Sequence, residues 1–228
     1  MATPEPPSYP ELRRKLAATV PLTDLDFPIG ERTWRISAVT DQDALLDAAV
    51  GMEHFPYGLL LWESSVGLAQ YFAEHHAEMR GKSLLELGAG AGFPGIVAKA
   101  YGADVVQTDH QQCALDLCRL NALQNHVDGI PRFLADWRVW NHSTRYDILT
   151  GADICYERGM HFHLEQLFRQ ALKPNGRLIL SDPVRPQALE FAAHLEKNGW
   201  NLALETRLID RIAEEGITEV ALLIGERE

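Results

Sequence analysis

The stretch SLLELGAGAGFPG, Ser83 to Gly95, decides how the rest of the chain is read. A short apolar run closes at Leu87, glycines stand at 88, 90, 92 and 95, and a helical pattern starts at once. Glycine lets a chain turn tightly and bring its backbone close to a ligand. The first turn of the following helix would offer free N–H groups and a partial positive charge. The spacing predicts a strand, a ligand-binding turn and a helix, the opening unit of a parallel sheet.

Outward from that unit the alternation continues. Val105–Asp109, 131–136, 146–153 and 176–182 read as strands; 93–101, 112–124, 162–172 and 187–198 read as helices. Strict β-α alternation with apolar strands predicts a parallel sheet covered on both faces, with right-handed crossovers. The last two apolar runs, 201–209 and 218–226, leave no room for a crossover helix between them. They are expected to pair antiparallel. Upstream, a helix is expected over 11–19, a strand over 33–39 and a helix over 42–50 capped by Thr40 or Asp41. A further helix to about Met79 would be capped by Ser64 or Ser65. Residues 1–54 then form an extension packed on a domain spanning 55–228.

Composition excludes some functions. Acidic residues outnumber basic ones by 32 to 21, for a formal charge of −11. That disfavours a nucleic-acid partner, which wants clustered Lys and Arg, and suits a basic protein or peptide. No apolar run reaches the roughly 18 residues of a membrane span. No apolar stretch follows the charges of the first residues, so no secretory signal is expected. The three cysteines, Cys113, Cys118 and Cys155, form no C-x-x-C pair. They are expected as buried thiols of a cytoplasmic protein, monomeric or weakly dimeric, without a membrane partner. His161 and His163 lie i, i+2 on a helix and point apart, so no metal site is expected.

Site candidates cluster at strand ends. Asp109 closes the second strand of the sheet, 21 residues after Gly88, where a carboxylate can accept from two ribose hydroxyls. Gly88, Ala89, Gly90 and Gly92 would approach the ligand. A dinucleotide fingerprint has its third glycine where this chain has Phe93. Glu86, two residues before Gly88, would repel a pyrophosphate and attract an ammonium or sulfonium. S-adenosylmethionine is therefore expected ahead of a dinucleotide, leaving S-adenosylhomocysteine. Asp136 and Trp137 would meet the adenine amino group and ring; His110 would touch its edge or simply fill an exposed loop. Asp153 and Tyr156, at the end of the fourth strand, would hold or deprotonate an incoming amine or guanidine and orient it. The plain alternative is that Asp153 caps the next segment and Tyr156 packs.

With these residues in place, the chain resembles the protein-methylating branch of the seven-strand methyltransferases, methyltransferase family 16. The resemblance runs from Tyr57 to Glu226 and is carried by YGLLLWESSVGLAQYF, by GKSLLELGAGAGFPGI and by Thr108-Asp109. Asn121 with Asn125, Asp136-Trp137 and the Asp153–Tyr156 tetrad complete it. It implies a Rossmann-like α/β/α sandwich with sheet order 3-2-1-4-5-7-6 and strand 7 antiparallel. It also implies methylation of protein side chains, mostly lysine with an arginine minority. On that resemblance Trp62, Glu86, Gly88, Gly90, Asp109, Trp137 and Ala152 contact the cofactor. The N-P-P-Y tetrad of amide and adenine methylases is replaced by Asp-Ile-Cys-Tyr, which suits a cationic amine. Small-molecule methylation and a non-catalytic, cofactor-binding partner protein remain open alternatives.

Overall fold

The computed structural model describes residues 7–50 and 54–227. Part of the expected extension, 1–6, lies outside the described residues, and its expected boundary after residue 54 abuts 51–53, also outside them. The same holds for the last residue of the expected domain, 228.

The chain runs α1 (Tyr9–Ala17), β1 (Thr23–Ile29), β2 (Arg32–Ala38), α2 (Gln42–Ala48), a 3-10 turn (Tyr57–Leu59), α3 (Glu63–Glu74) and α4 (His76–Met79). The alternating part follows as β3 (Ser83–Leu87), α5 (Phe93–Ala100), β4 (Asp104–Asp109), α6 (Gln112–Gln124), β5 (Arg132–Leu134) and β6 (Tyr146–Ala152). It closes with α7 (His161–Ala171), β7 (Leu172–Asp182), α8 (Pro186–Lys197), β8 (Trp200–Asp210) and β9 (Ile217–Arg227). The seven-stranded sheet has the order β5-β4-β3-β6-β7-β9-β8. Only β9 runs against its neighbours, pairing antiparallel with both β7 and β8. Counted from β3, this is the 3-2-1-4-5-7-6 order that the resemblance implies.

The sheet is covered on both faces because its strands are apolar on both. Adjacent Leu84 and Leu85 are fully buried and enter different cores, as alternate strand residues must. Leu84 packs with Phe72, Ile96 and Leu120, whereas Leu85 packs with Leu149, Phe168 and Phe191. Leu12 and Leu16 of α1 and Trp34 and Ile36 of β2 belong to the first of these cores.

Several expectations are corrected. β1 has no counterpart in the sequence reading; it pairs antiparallel with β2 from Thr23↔Ala38 to Ile29↔Arg32. Its Pro28 and exposed alternate residues disguise it, and both are tolerated at the outer edge of a hairpin. The helix expected to reach Met79 breaks at His75. The Nδ1 atoms of His75 and His76 lie 3.0 Å and 2.9 Å from the carbonyl oxygens of Tyr71 and Ala73, so the imidazoles take up carbonyls of the last turn. Trp62, not Ser64 or Ser65, occupies the N-cap of α3, and the Ser65 hydroxyl donates back to its carbonyl at 2.7 Å. Asp41 does cap α2, accepting from the amides of Asp43 and Ala44. β5 is shorter than expected, because the Asp136 side chain accepts the Arg138 N–H and starts a 3-10 turn.

Among the described residues the inner edge of β2 has no strand partner. Instead, Asn121 Oδ1 accepts the Ser37 N–H at 2.8 Å while its Nδ2 donates to the Ser37 carbonyl at 3.0 Å. Asn125 repeats the arrangement on Arg35, at 3.0 Å and 2.7 Å. The geometry permits it because two residues along a strand advance about 6.6 Å and four along a helix about 6 Å. Two side-chain amides on α6 thus stand in for a neighbouring strand. Asn121→Ala leaves both backbone groups of Ser37 buried and unpaired, so it should lower unfolding free energy by about 2–4 kcal/mol. Urea titration reads this, and an unchanged midpoint would refute the strand-surrogate role.

Candidate active site

The glycine turn sits where three side chains hold it from behind. Cys118 Sγ donates to the Gly90 carbonyl at 3.0 Å, Asn121 Nδ2 to that of Ala91 at 2.9 Å and Gln107 Nε2 to that of Gly92 at 3.0 Å. Gly92 has φ 76° and a Cβ there would lie 2.8 Å from the Gln107 amide and 2.9 Å from Cys118 Sγ. No other residue fits. Gly92 therefore faces the core, and it alone of the expected site residues is absent from the cavity wall. Its place is behind the turn, as the N-cap of α5.

Glu86 is also turned inward. Its carboxylate accepts the Gln107 amide at 2.7 Å and the Gly95 N–H at 3.2 Å. A Cβ on Gly95 would overlap it, so the glycine of the FPG triplet keeps room for an acid beneath the helix start. Burial is the larger influence and pushes the carboxyl up to about 7, against the two hydrogen bonds that favour its ionised form. Glu86 reaches the cavity wall, but both its oxygens are bound within the protein.

The cavity itself, of ≈ 490 Å³, opens at the carboxyl ends of β3, β4 and β6, within the ~300–1,000 Å³ typical of ligand clefts. Gly88, Ala89 and Gly90 line one side. Asp109 is 4% exposed; its Oδ2 accepts the Gly90 N–H at 3.1 Å and its Oδ1 the Gln111 N–H at 3.0 Å. An ionised carboxylate has about four acceptor positions. Two remain, the number a vicinal diol uses, so the residue fits a ribose. His110 Nδ1 lies 3.4 Å from Asp109 Oδ1, and that carboxylate raises its pKa.

Trp137 packs its ring edge beside Gly88, where a Cβ would come within 3.2 Å, and its Nε1 is buried without a partner. Asp136 is less free than expected. Arg138 Nε and Nη2 hold its two oxygens at 2.9 Å and 2.6 Å, and the Arg138 N–H adds a third bond at 2.9 Å.

The opposite wall carries the acceptor candidates. Ala152 ends β6 and Asp153 follows at φ 58°, its N–H bonded to the Ser181 carbonyl at 2.7 Å. Its Oδ1 accepts Nη1 of Arg185, a residue the sequence reading passed over. Asp153 therefore rests in an ion pair within the cavity wall. Tyr156 is 44% exposed, its ring 6.3 Å from that of Tyr57, and burial raises its hydroxyl pKa. Trp62 donates its indole N–H to the Tyr57 carbonyl at 3.2 Å and lines the cavity. Gly58, also unanticipated, backs the turn: a Cβ on Gly90 would meet its carbonyl at 3.1 Å. The signal for Arg185 was its place just beyond a strand's carboxyl end, in Ser-Asp-Pro-Val-Arg-Pro.

Elsewhere, His161 Nε2 lies 2.9 Å from the Cys155 carbonyl. Among the described residues no three His, Cys, Asp or Glu are grouped to hold a metal, and no helix is long and apolar enough to cross a membrane.

A family profile described as "Lysine methyltransferase" matches residues 42–198. Histone-arginine methyltransferase METTL23 of Mus musculus is 34% identical over 113 residues, 46% of this chain and 44% of that protein. EEF1A lysine methyltransferase 3 of Mus musculus is 33% identical over 153 residues, covering 64% of this chain and 66% of that one. Protein N-terminal and lysine N-methyltransferase EFM7 of Eremothecium gossypii is 27% identical, covering 77% and 76%. The chain thus matches about half the length of the METTL23 proteins. Among solved structures, a ribosomal protein L11 methylase from Lactobacillus delbrueckii superposes with a TM-score of 0.56 at 20% identity, over 72% of this chain and 78% of that one. At that identity the likeness concerns the fold.

Glu86 yields a pH signature. Its pKa is higher folded than unfolded, so the folded state binds the proton more tightly. Its contribution to stability falls as pH rises from about 4.5 to about 7, by on the order of 3 kcal/mol. Relative to wild type, Glu86→Gln should gain stability progressively across that window. Melting temperatures of both proteins at half-unit pH steps test it; a constant difference would refute the assignment.

Proposed function

The chain belongs to the lysine methyltransferase family, and from that premise we propose that it transfers a methyl group from S-adenosylmethionine to a side-chain nitrogen of a protein. Lysine is the favoured acceptor and S-adenosylhomocysteine the product. The observation that carries this reading is one cavity with two unlike carboxylates on its walls. Asp109, held by two backbone amides, is suited to a neutral diol; Asp153, held by a guanidinium, is suited to a cation.

In this reading Asp109 holds the ribose, Gly88, Ala89 and Gly90 approach the amino-acid end, and Trp137, with Asp136 and His110, borders the base. Trp62 and Ala152 form the walls between. The bound cofactor supplies the electrophilic methyl carbon. Asp153 receives the acceptor's cationic nitrogen and Tyr156, kept as a neutral phenol, orients it. The apolar wall of Trp62 and Ile154 penalises the ammonium relative to the amine, so the nitrogen passes its proton to the Asp153 carboxylate. Arginine is the second acceptor, favoured by the METTL23 relatives whose names describe that activity.

The net charge of −11 favours a basic partner segment. Three free cysteines fit a reducing, cytoplasmic setting. The described part of residues 1–54 serves as an extension that braces the methyl-transfer domain, and the working unit is a monomer or weak dimer.

Two variants and one labelling experiment test this. Asp109→Ala should weaken S-adenosylhomocysteine binding while the fold persists by circular dichroism. Asp153→Asn should retain binding yet lower methyl transfer by about 10²–10⁴-fold. Labelled cofactor added to extract lacking this protein, with the purified chain restored, should mark a protein band. Label confined to small molecules, or undiminished transfer by Asp153→Asn, would reject the assignment.

A further inference from the structure

We infer that Arg185 is the specificity-determining residue of the acceptor subsite: its guanidinium is a resident cation at Asp153 that only an incoming cation replaces. This rests on the reading of the cavity as a methyl-transfer site.

Arg185 is built into place. The Asp182 side chain accepts its N–H at 2.7 Å. Pro186 disfavours helical geometry in the residue before it, and Arg185 is extended, at φ −68° and ψ 144°. Val184 stands at φ 60°, a left-handed conformation that a branched residue rarely adopts. Among the described residues four non-glycine residues have positive φ; one is Val184 and another is Asp153 itself. Strained backbone thus underlies both members of the ion pair, and such strain persists only where the surroundings enforce it.

The side-chain contacts then describe an exchange. Arg185 Nη1 bonds Asp153 Oδ1 and lies 3.5 Å from Asp182 Oδ2, with its guanidinium carbon 6.0 Å from the Trp62 ring centre. Asp153 Oδ2 and Asp182 Oδ2 are both buried with no hydrogen-bond partner. Two carboxylates therefore share one guanidinium, and the second carboxylate is a ready station for it. When an acceptor ammonium reaches Asp153, Arg185 shifts to Asp182, and each carboxylate ends with one cation. A neutral acceptor, such as an amide or alcohol, offers no such outcome. To displace Arg185 it would leave Asp153 buried and unpaired, which is strongly disfavoured. The device selects cationic side chains over neutral ones and never leaves the acceptor carboxylate bare.

The test uses n-butylammonium as a lysine side-chain probe and n-butanol as its neutral counterpart, titrated calorimetrically into protein saturated with S-adenosylhomocysteine. Removing the competitor in Arg185→Ala should tighten butylammonium binding about tenfold, the factor expected if Arg185 vacates Asp153 about a tenth of the time. Butanol binding should not change. A damaged fold would weaken binding, so a gain is not a structural side effect. Should Arg185→Ala fail to fold, Arg185→Gln keeps the length, loses the charge and carries the same comparison. Butylammonium binding that is equal or weaker in the variant overturns the inference. Failure of the wild-type protein to bind S-adenosylhomocysteine would instead overturn the methyl-transfer reading beneath it.

Discussion

The carboxylate of Glu86 is the joint on which the rest of the molecule is hung. Fully enclosed, it is costly unless its oxygens are bonded, and the two donors that bond it come from different elements. Gln107 reaches it from β4 and Gly95 from the first turn of α5. The same Gln107 amide also takes the Gly92 carbonyl. One acid thereby fixes the distance between two parallel strands, the start of a helix and the turn between them. An anion under a helix start is additionally favoured by the helix dipole. The turn has no freedom left on its inner side, so its outer side presents a fixed surface to the cavity.

That rigidity extends to the N-terminal hairpin. Asn121 bonds both backbone groups of Ser37 on β2 and the Ala91 carbonyl in the glycine turn. The hairpin and the turn are held by one side chain, itself fully buried. Lys15 of α1 adds an ion pair to Asp116 of α6 at 2.5 Å, a half-exposed contact of small energetic weight. The apolar core shared with Leu12, Leu16, Trp34 and Ile36 matters more. The described residues of α1 and the β1–β2 hairpin thus help to hold the turn that borders the cavity.

What could be read from the sequence follows from what repeats. The alternation of apolar strands and helices is periodic, so β3 to β9 were legible, down to the antiparallel return of β9, whereas their order came from the family resemblance. Strand ends of a parallel sheet converge by construction, so the sequence itself places Asp109, Trp137, Asp153 and Tyr156 around one cavity. Orientation was not legible. Whether Glu86 and Gly92 face ligand or core depends on Gln107 and Cys118, residues on other elements with no spacing signature. β1 escaped because an edge strand need not alternate cleanly. Arg185 escaped because a charge beside two prolines reads as a surface turn, and only the fold brings Asp153 to it across thirty-odd residues.

In the proposed reading, Asp109 and Asp153 take two roles from one residue type. Both are nearly buried, both stand at the carboxyl end of a strand of the same sheet, and both line the same cavity. The difference lies in what holds each carboxylate at rest. Backbone amides cannot leave, so Asp109 keeps its two bonds and offers only its spare lone pairs, which match neutral hydroxyl donors. A guanidinium on a side chain can leave, so Asp153 offers its whole charge, but only in exchange. A fixed partner makes a binding group for polar neutral ligands; a movable partner of like charge to the substrate makes a group that discriminates by charge. The chemistry of the cavity is therefore set by the partners of its acids more than by the acids themselves.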